Sequence, residues 1–464
     1  MSTKLFSRSS YRCYPMGFLL VCFVLLLPTG TLAAQNYIQT QVDKKMAKTV
    51  RTTTINDMLR EGFKKPNSEA IFDEYYKKCV FPEWTDPANF STHGKQAKSL
   101  RRRIIKDLDR AGKGPVYDHF NQLILDQMLE FVKGNYHPAT RFNAMLLIGE
   151  LNTEKPGFNK SPDPLPKALP ILLAAVQDDS LPGGVRFAGL LGVVRHSKYG
   201  AKDKKDREKI DKLLLSLVAM RDVPAGRSKA GHGWFRRIAM DTLARRGSPG
   251  PNGIAAKAVA SVIGESDAPL SVRCDAAEDL GWFRLRSDTG VNPDAVASML
   301  KDLFKAVANE EIEQAEEDKE YVINASKTKA RIAAILAAIT GSKDRDNNDG
   351  KGVMALVPNP DDAKLLRSLQ RDLEELLGRK YLDHEDLKPK SETASDRRDP
   401  FAGRGGGRRP RSGRGGLPGE DPMAGGPEGP QPGLLGQAET NPAKPISDEI
   451  IGKLIELVKK YDAY

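Results

Sequence analysis

Six histidines, His93, His119, His137, His196, His232 and His384, are the residues best suited to acid–base or metal chemistry, and they are scattered along the chain. No two stand three or four apart, the spacing that sets a pair of imidazoles on one helical face around a metal ion. The segment 342–352, Ser-Lys-Asp-Arg-Asp-Asn-Asn-Asp-Gly-Lys-Gly, is the other candidate. A calcium loop opening at Asp344 requires glycine at its sixth place and glutamate at its twelfth, and these are Asp349 and Ala355. It is read as a flexible turn, with an irregular cation site as the alternative. Carboxylates abound, yet none lies in an apolar setting that would lift it into the range of a general acid. Nucleophile-elbow, phosphate-loop and dinucleotide-binding patterns do not occur. No catalytic residue, cofactor or metal ligand is assigned, so the chain is read as a non-enzymatic protein that works through its surfaces.

Three stretches have the composition of binding elements. The first, 94–111, carries Lys95, Lys98, Arg101, Arg102, Arg103, Lys106 and Arg110 interleaved with Leu100, Ile104, Ile105 and Leu108 at helical spacing. This is a basic amphipathic helix whose charged side either faces solvent or attracts an anionic partner. The second is 397–414, where Arg397, Arg398, Arg404, Arg408, Arg409, Arg411 and Arg414 stand against Asp399 alone. These arginines are candidate contacts to an anionic polymer, lipid or nucleic acid, the other reading being a soluble spacer. The third is 446–464. Ser447 is its expected N-cap, Ile450, Ile451, Leu454, Ile455, Leu457, Val458 and Tyr461 form an apolar stripe, and Glu449–Lys453 and Glu456–Lys460 are favourably spaced pairs. A helix of this length is marginal alone in water, so it is expected to dock in a groove of its own chain or of a protein partner. Read as a tethered partner-docking element, it is expected to be removable without changing the melting of the rest.

The elements that position these stretches follow from composition and periodicity. Residues 1–34 read as a secretory signal peptide: Lys4, Arg8 and Arg12 precede the apolar run 17–27, and Thr31-Leu-Ala-Ala34 offers small residues for cleavage. An uncleaved anchor is the alternative, although the run is shorter than the roughly 20 residues that span a bilayer. The expected location is periplasmic or secreted, with no transmembrane segment after cleavage. Beyond the signal only Cys79 and Cys274 remain, expected as small buried hydrophobes, with a disulfide as the alternative. Residues 35–55 are polar and read as a tether or frayed helix, Ser68 as the N-cap of a helix over 68–78, and Trp84 as the cover of an open end. From about 388 to 445 the chain is rich in Gly, Pro and Arg with almost no large apolar residue, the composition of a disordered linker.

Between these ends lie helix pairs in register. Aligned on Arg141, Arg186, Arg236, Arg273 and Arg331, five segments place Ala144, Gly189, Ala239, Ala276 and Ala334 three positions on, all small. Seven positions on stand Ile148, Val193, Leu243, Leu280 and Ala338, all apolar. The clearest copy runs from Asp267 through Pro269, Val272, Arg273 and Gly281 to Trp282. Successive arginines are 45, 50, 37 and 58 residues apart, around the roughly 40 to 47 of HEAT and armadillo units. The register resembles that of HEAT repeats, an armadillo-like family seen here in a secreted, bacterial-type chain. The resemblance implies an all-α fold, an α-solenoid of about five antiparallel pairs: 116–133 with 138–151, 165–177 with 182–196, 206–221 with 234–246, 254–264 with 269–283, and 293–317 with 326–339. It also implies a structural ladder, in which a turn residue and the arginine six places on bond across to the next repeat. Asn135 with Arg141, Ser180 beside Asp179 with Arg186, and Asp267 with Arg273 fit this. Ala230 and Ala325, before Arg236 and Arg331, do not. Residues 310–320, with seven acids against Lys319, are expected to form a solvated helical face.

The expected organisation is a signal peptide over 1–34, an N-terminal helical cap over 35–112, the repeats over 113–341, a cap helix within 342–387, the linker over 388–445 and the docking helix over 446–464. The expected function is a non-catalytic protein–protein interaction scaffold of the cell envelope or exterior, binding through the solenoid surface and the tethered helix. An envelope polyanion or nucleic-acid binder, using 95–110 and 397–414, is the alternative.

Overall fold

The computed structural model describes residues 36–50, 52–89, 95–158, 160–342, 350–357, 363–384, 387 and 443–464. Residues 1–34, the arginines of 397–414 and the segment from Asp344 to Asp349 lie outside these. The chain is all-α, and no strand is formed among the described residues. None of the described helices is long and apolar enough to cross a membrane. Two compact units divide between Pro162 and Asp163. The division falls inside the stretch read as one repeat array, in the Pro- and Gly-containing insertion over 152–164.

The first unit contains α1 (Lys44–Thr49), α2 (Thr52–Glu61), α3 (Ser68–Tyr75), α4 (Lys95–Ala111), α5 (Pro115–Lys133) and α6 (Pro138–Glu150). Proline opens both α5 and α6, where its missing N–H costs nothing. His137 caps α6, its Nδ1 accepting from the Ala139 N–H at 3.1 Å. The core is aromatic: Phe120 meets Phe72 and Tyr76 with ring centroids 5.2 and 4.3 Å apart, and Trp84 lies 6.5 Å from Phe131. The stretch 35–55, expected as a tether or frayed helix, holds a short exposed helix, α1, and is tied to the unit through its backbone. Thr40 N donates to Thr85 Oγ1 at 2.8 Å, Asp43 N donates to Lys78 O at 2.9 Å, and α2 buries Ile55, Met58 and Leu59. The apolar spacing that reveals α2 completes itself only beyond residue 55. Ser68 is likewise not a cap. It is the first residue of α3, buried, and accepts from Lys65 N, while Asn67 holds the N-cap place with φ 62°.

The second unit contains α7 (Ala168–Gln177), α8 (Gly183–Tyr199), α9 (Lys204–Ala219), α10 (Lys229–Ala244), α11 (Ile254–Ile263), α12 (Leu270–Leu280), α13 (Pro293–Glu317), α14 (Ala325–Thr340), α15 (Lys364–Leu376) and α16 (Ala443–Asp462). Consecutive helices from α7 to α14 pack as pairs, α8, α10, α12 and α14 touch in succession, and α9, α11 and α13 form the other layer. Within both units, the small and apolar positions that follow each aligned arginine are all buried. Beyond these positions, Gly281 at the end of α12 lets backbones approach: a Cβ on it would fall 2.4 Å from Ala337 O of α14.

Three expectations fail in this unit. α10 starts at Lys229, ahead of the expected 234–246, because Ser228 caps it by accepting from Gly231 N at 3.0 Å. The acidic run at the end of α13 is not wholly solvated: Glu311 is fully buried, accepting from Tyr321 Oη at 2.6 Å and Thr328 Oγ1 at 2.9 Å. The last helix begins at Ala443, so Ser447 is interior to it. Ser447 is buried, and its Oγ accepts from Ile323 N at 2.9 Å.

Candidate binding groove

The residues singled out in the sequence go to different places. The arginines of the register mostly close helix ends. Arg141 Nε donates to Val132 O at 2.9 Å, Arg186 Nε to Val176 O at 3.0 Å and Arg273 Nε to Ile263 O at 2.8 Å. Arg236 donates through Nε and Nη2 to Val218 O at 3.1 and 3.0 Å. Each acceptor lies in the last turn of the preceding helix, where carbonyls lack intrahelical donors and the helix dipole favours a cation. The expected partners six residues earlier do not take this role. Asp267 is exposed in its turn, and Asn135 donates to Asn36 O at 3.1 Å. Arg186 instead pairs with Asp179. The bond that crosses to the next pair belongs to Arg236, one of the two thought to break the pattern: its Nη2 lies 2.7 Å from Glu265 Oε2. Arg331 does differ. α13 runs on to Glu317, and Arg331 Nη1 meets the carboxylate of Glu310 at 3.0 Å.

The stripe of the last helix is taken up by its own chain. Ile450, Ile451, Leu454, Leu457 and Tyr461 are buried, and Ile455 and Val458 are half-buried. α16 packs against α13, where Tyr461 stands edge-on to Phe304 with centroids 5.8 Å apart. The Tyr461 hydroxyl donates to Asp372 Oδ2 of α15 at 2.6 Å, and Lys460 Nζ lies 2.5 Å from the same oxygen. Lys453 reaches Glu375, and Lys305 pairs with Asp462. The buried part of the stripe therefore forms an intrachain joint, the first of the two dockings expected for it.

An open apolar surface among the described residues was not singled out in the sequence. Phe187 and Leu191 of α8 and Gly231, Trp234, Phe235 and Ile238 of α10 line a trough of about 690 Å³, closed at one side by Gly226, Arg227 and Ser228. Phe187 and Leu191 recur at four residues, as do Trp234 and Ile238, so each pair presents one helical face. Trp234 is 52% exposed, whereas Trp84 and Trp282 are 2% and 7% exposed. Phe187 and Phe235 meet edge to face at 5.5 Å, and the Arg227 guanidinium lies 4.1 Å from the Phe235 ring centroid. Arg227 Nη2 is buried with no hydrogen-bond partner among the described residues, and burial, with the charge of Arg186, holds this guanidinium below its usual basicity.

Trp234 and Ile238 also wall a second recess, of about 240 Å³, lined by Arg237, Asp241 and Arg245 of α10 and Asp275, Glu278 and Asp279 of α12. Arg237 stacks 4.6 Å from the Trp234 ring and pairs with Asp275; Arg245 stacks 4.3 Å from Trp282 and pairs with Asp241 at 2.8 Å. Burial pushes Asp275 up to about 6 against the pull of Arg237. Asp279 is driven well above the ordinary carboxylate range by burial first and then by Asp241, Glu278 and Asp275, with Arg245 opposing. Glu278 is exposed at the mouth. No group of three or more His, Cys, Asp or Glu side chains among the described residues is arranged to hold a metal ion. The combined surface is an apolar trough with an exposed indole, continuous with a recess rich in carboxylates. The sequence signals were present, in the four-residue spacings and the four acids, but nothing local says that α8, α10 and α12 stand side by side.

Comparison of the chain with protein families, with curated proteins and with solved structures returns no match.

Proposed function

We propose that this protein is a non-catalytic interaction scaffold, in which the HEAT-like helix pairs of the second unit stack as an α-solenoid and hold a protein partner in the groove of α8, α10 and α12. The observation that carries the reading is the half-exposed Trp234 standing between an apolar trough and a carboxylate-lined recess. Exposed aromatic side chains in apolar depressions are the usual anchors of protein interfaces, because they bury a large area at little conformational cost. Charge complementarity defines the occupant as a peptide segment with a large apolar side chain for the trough and a lysine or arginine for the recess beside Glu278. The reading of residues 1–34 as a signal peptide supports a role in the cell envelope or outside the cell. The last helix, whose stripe is spent on α13, takes no part in partner capture in this proposal.

The test is selection of displayed random peptides on the intact chain, with binding read by calorimetric titration. Enriched peptides should pair an aromatic or aliphatic residue with a nearby basic one and should lose affinity at least tenfold on Trp234→Ala, the scale of an interface anchor. Peptides that bind Trp234→Ala and the unaltered chain equally would rule the groove out.

A further inference from the structure

The first unit holds a recess of a different chemistry. Along α4, Ser99, the neighbours Arg102 and Arg103, the neighbours Lys106 and Asp107, and Arg110 recur three to four residues apart, so they share a face of the helix. That face does not simply fan into solvent. It forms one wall of a recess of about 400 Å³, closed by Thr52, Ile55 and Asn56 of α2 and by Tyr75 and Tyr76 at the end of α3. Four cationic side chains and one carboxylate thus line the same recess. That carboxylate is already engaged: Asp107 is buried, pairs with Arg110 and accepts from the Tyr76 hydroxyl at 3.1 Å. Arg103 is held by Glu83, with Nη1 at 3.0 Å from both carboxylate oxygens. Arg102 and Lys106 are exposed at the mouth and have no carboxylate partner among the described residues. Thr52, Asn56 and Ser99 add neutral donors around the same space.

Like charges gathered at one mouth repel one another, and an anion of matching size relieves that repulsion while accepting charge-assisted hydrogen bonds. A guanidinium offers a fork to two oxygens and an ammonium offers a point charge, the combination suited to tetrahedral oxyanions. We infer that this recess binds a compact phosphate-class polyanion, a small molecule with at least two anionic groups that Arg102 and Lys106 contact directly and that Arg103 and Arg110 support from within. The limited volume and the neutral donors favour such a molecule over a polymer lying along the helix. The inference is independent of the groove in the second unit.

The experiment is calorimetric titration of the intact chain with inorganic pyrophosphate at low salt. One molecule should bind per chain, and Arg102→Gln and Lys106→Gln should each weaken binding about tenfold, the loss expected for one charge-assisted hydrogen bond. Ser99→Glu, which sets a negative charge in the recess, should abolish binding. Lys98→Gln, on the same helix but outside the recess, should leave it unchanged. All four residues are exposed, and unchanged circular dichroism verifies each fold. The inference is overturned if pyrophosphate does not bind, or if Lys98→Gln weakens binding as much as Arg102→Gln. It is equally overturned if heparin binds while pyrophosphate does not, since the helix would then be a diffuse polymer-binding face.

Discussion

Arg236→Met isolates the electrostatic part of an arginine that both closes a helix and reaches the next pair. Arg236 is 4% exposed, and its ion-pair partner Glu265 is equally enclosed, with its side chain 4% exposed. Methionine keeps most of the apolar stem, so packing changes little. After the change, Glu265 retains only Arg221, 3.2 Å away on a side chain that is 62% exposed. Stripping a buried carboxylate of its close partner costs about 3–5 kcal/mol, and the last-turn carbonyl of α9 loses its donor at a further cost of about 1 kcal/mol. The single variant should therefore lose about 4 kcal/mol, most of it due to the charge left behind. Adding Glu265→Gln removes that charge, so the double variant should regain at least about 2 kcal/mol, a coupling of the size expected for residues in direct contact. Urea unfolding of the intact chain, followed by circular dichroism and with the slopes compared, provides both values. A loss below about 1 kcal/mol for Arg236→Met, or a double variant no better than the single one, would refute the argument.

Three further outcomes follow from the structure. Removing 443–464 should uncover the apolar face of α13, lower the melting temperature and raise binding of a hydrophobic dye, and Leu454→Ala alone should cost about 2–5 kcal/mol; unchanged melting would restore the tethered reading. His196 is buried, and burial, reinforced by Arg195, holds it down to about 4. Folding thus favours its neutral form, and the contribution, about 3 kcal/mol at most, is present above the unfolded value near 6.5 and lost as the pH falls towards 4. His196→Leu should flatten stability between those limits, and an unaltered pH profile would contradict the assignment. Asp279, pushed well upwards, has the opposite sign: it is bound to its proton more tightly in the folded chain, so its contribution declines as the pH rises. Asp279→Asn should melt higher than the unaltered chain at pH 8, with the gap closing at pH 4; a gap that is the same at both would count against the raised value.

The helices of the central region were legible because their evidence is local. α13 runs from Pro293 to Glu317 as its proline start and apolar spacing imply, and each arginine of the register lies in a helix whose small and apolar positions after it are buried. The places where expectation and structure part are those where a partner distant in sequence decides. Ser447 has the residue type of a cap, yet its hydroxyl faces Ile323 N across 124 positions. Glu311 sits in an acidic run that reads as solvated, yet Thr328 and Tyr321 draw it inside. Asp267 has the type and spacing of a ladder residue, whereas Glu265, two positions earlier, is the acid that Arg236 meets.

The sequence by itself determined that the chain is helical, which faces of its helices are apolar and where arginines recur, since period and residue type are properties of neighbouring positions. Only the tertiary structure decided what those features touch. It turned four of the five register arginines onto helix-end carbonyls, spent the stripe of the last helix on α13, left Trp234 standing in an open trough and gathered four cations of α4 around one recess. Each of these outcomes depends on which helices become neighbours, and a burial pattern states only that a face must be covered, not by what.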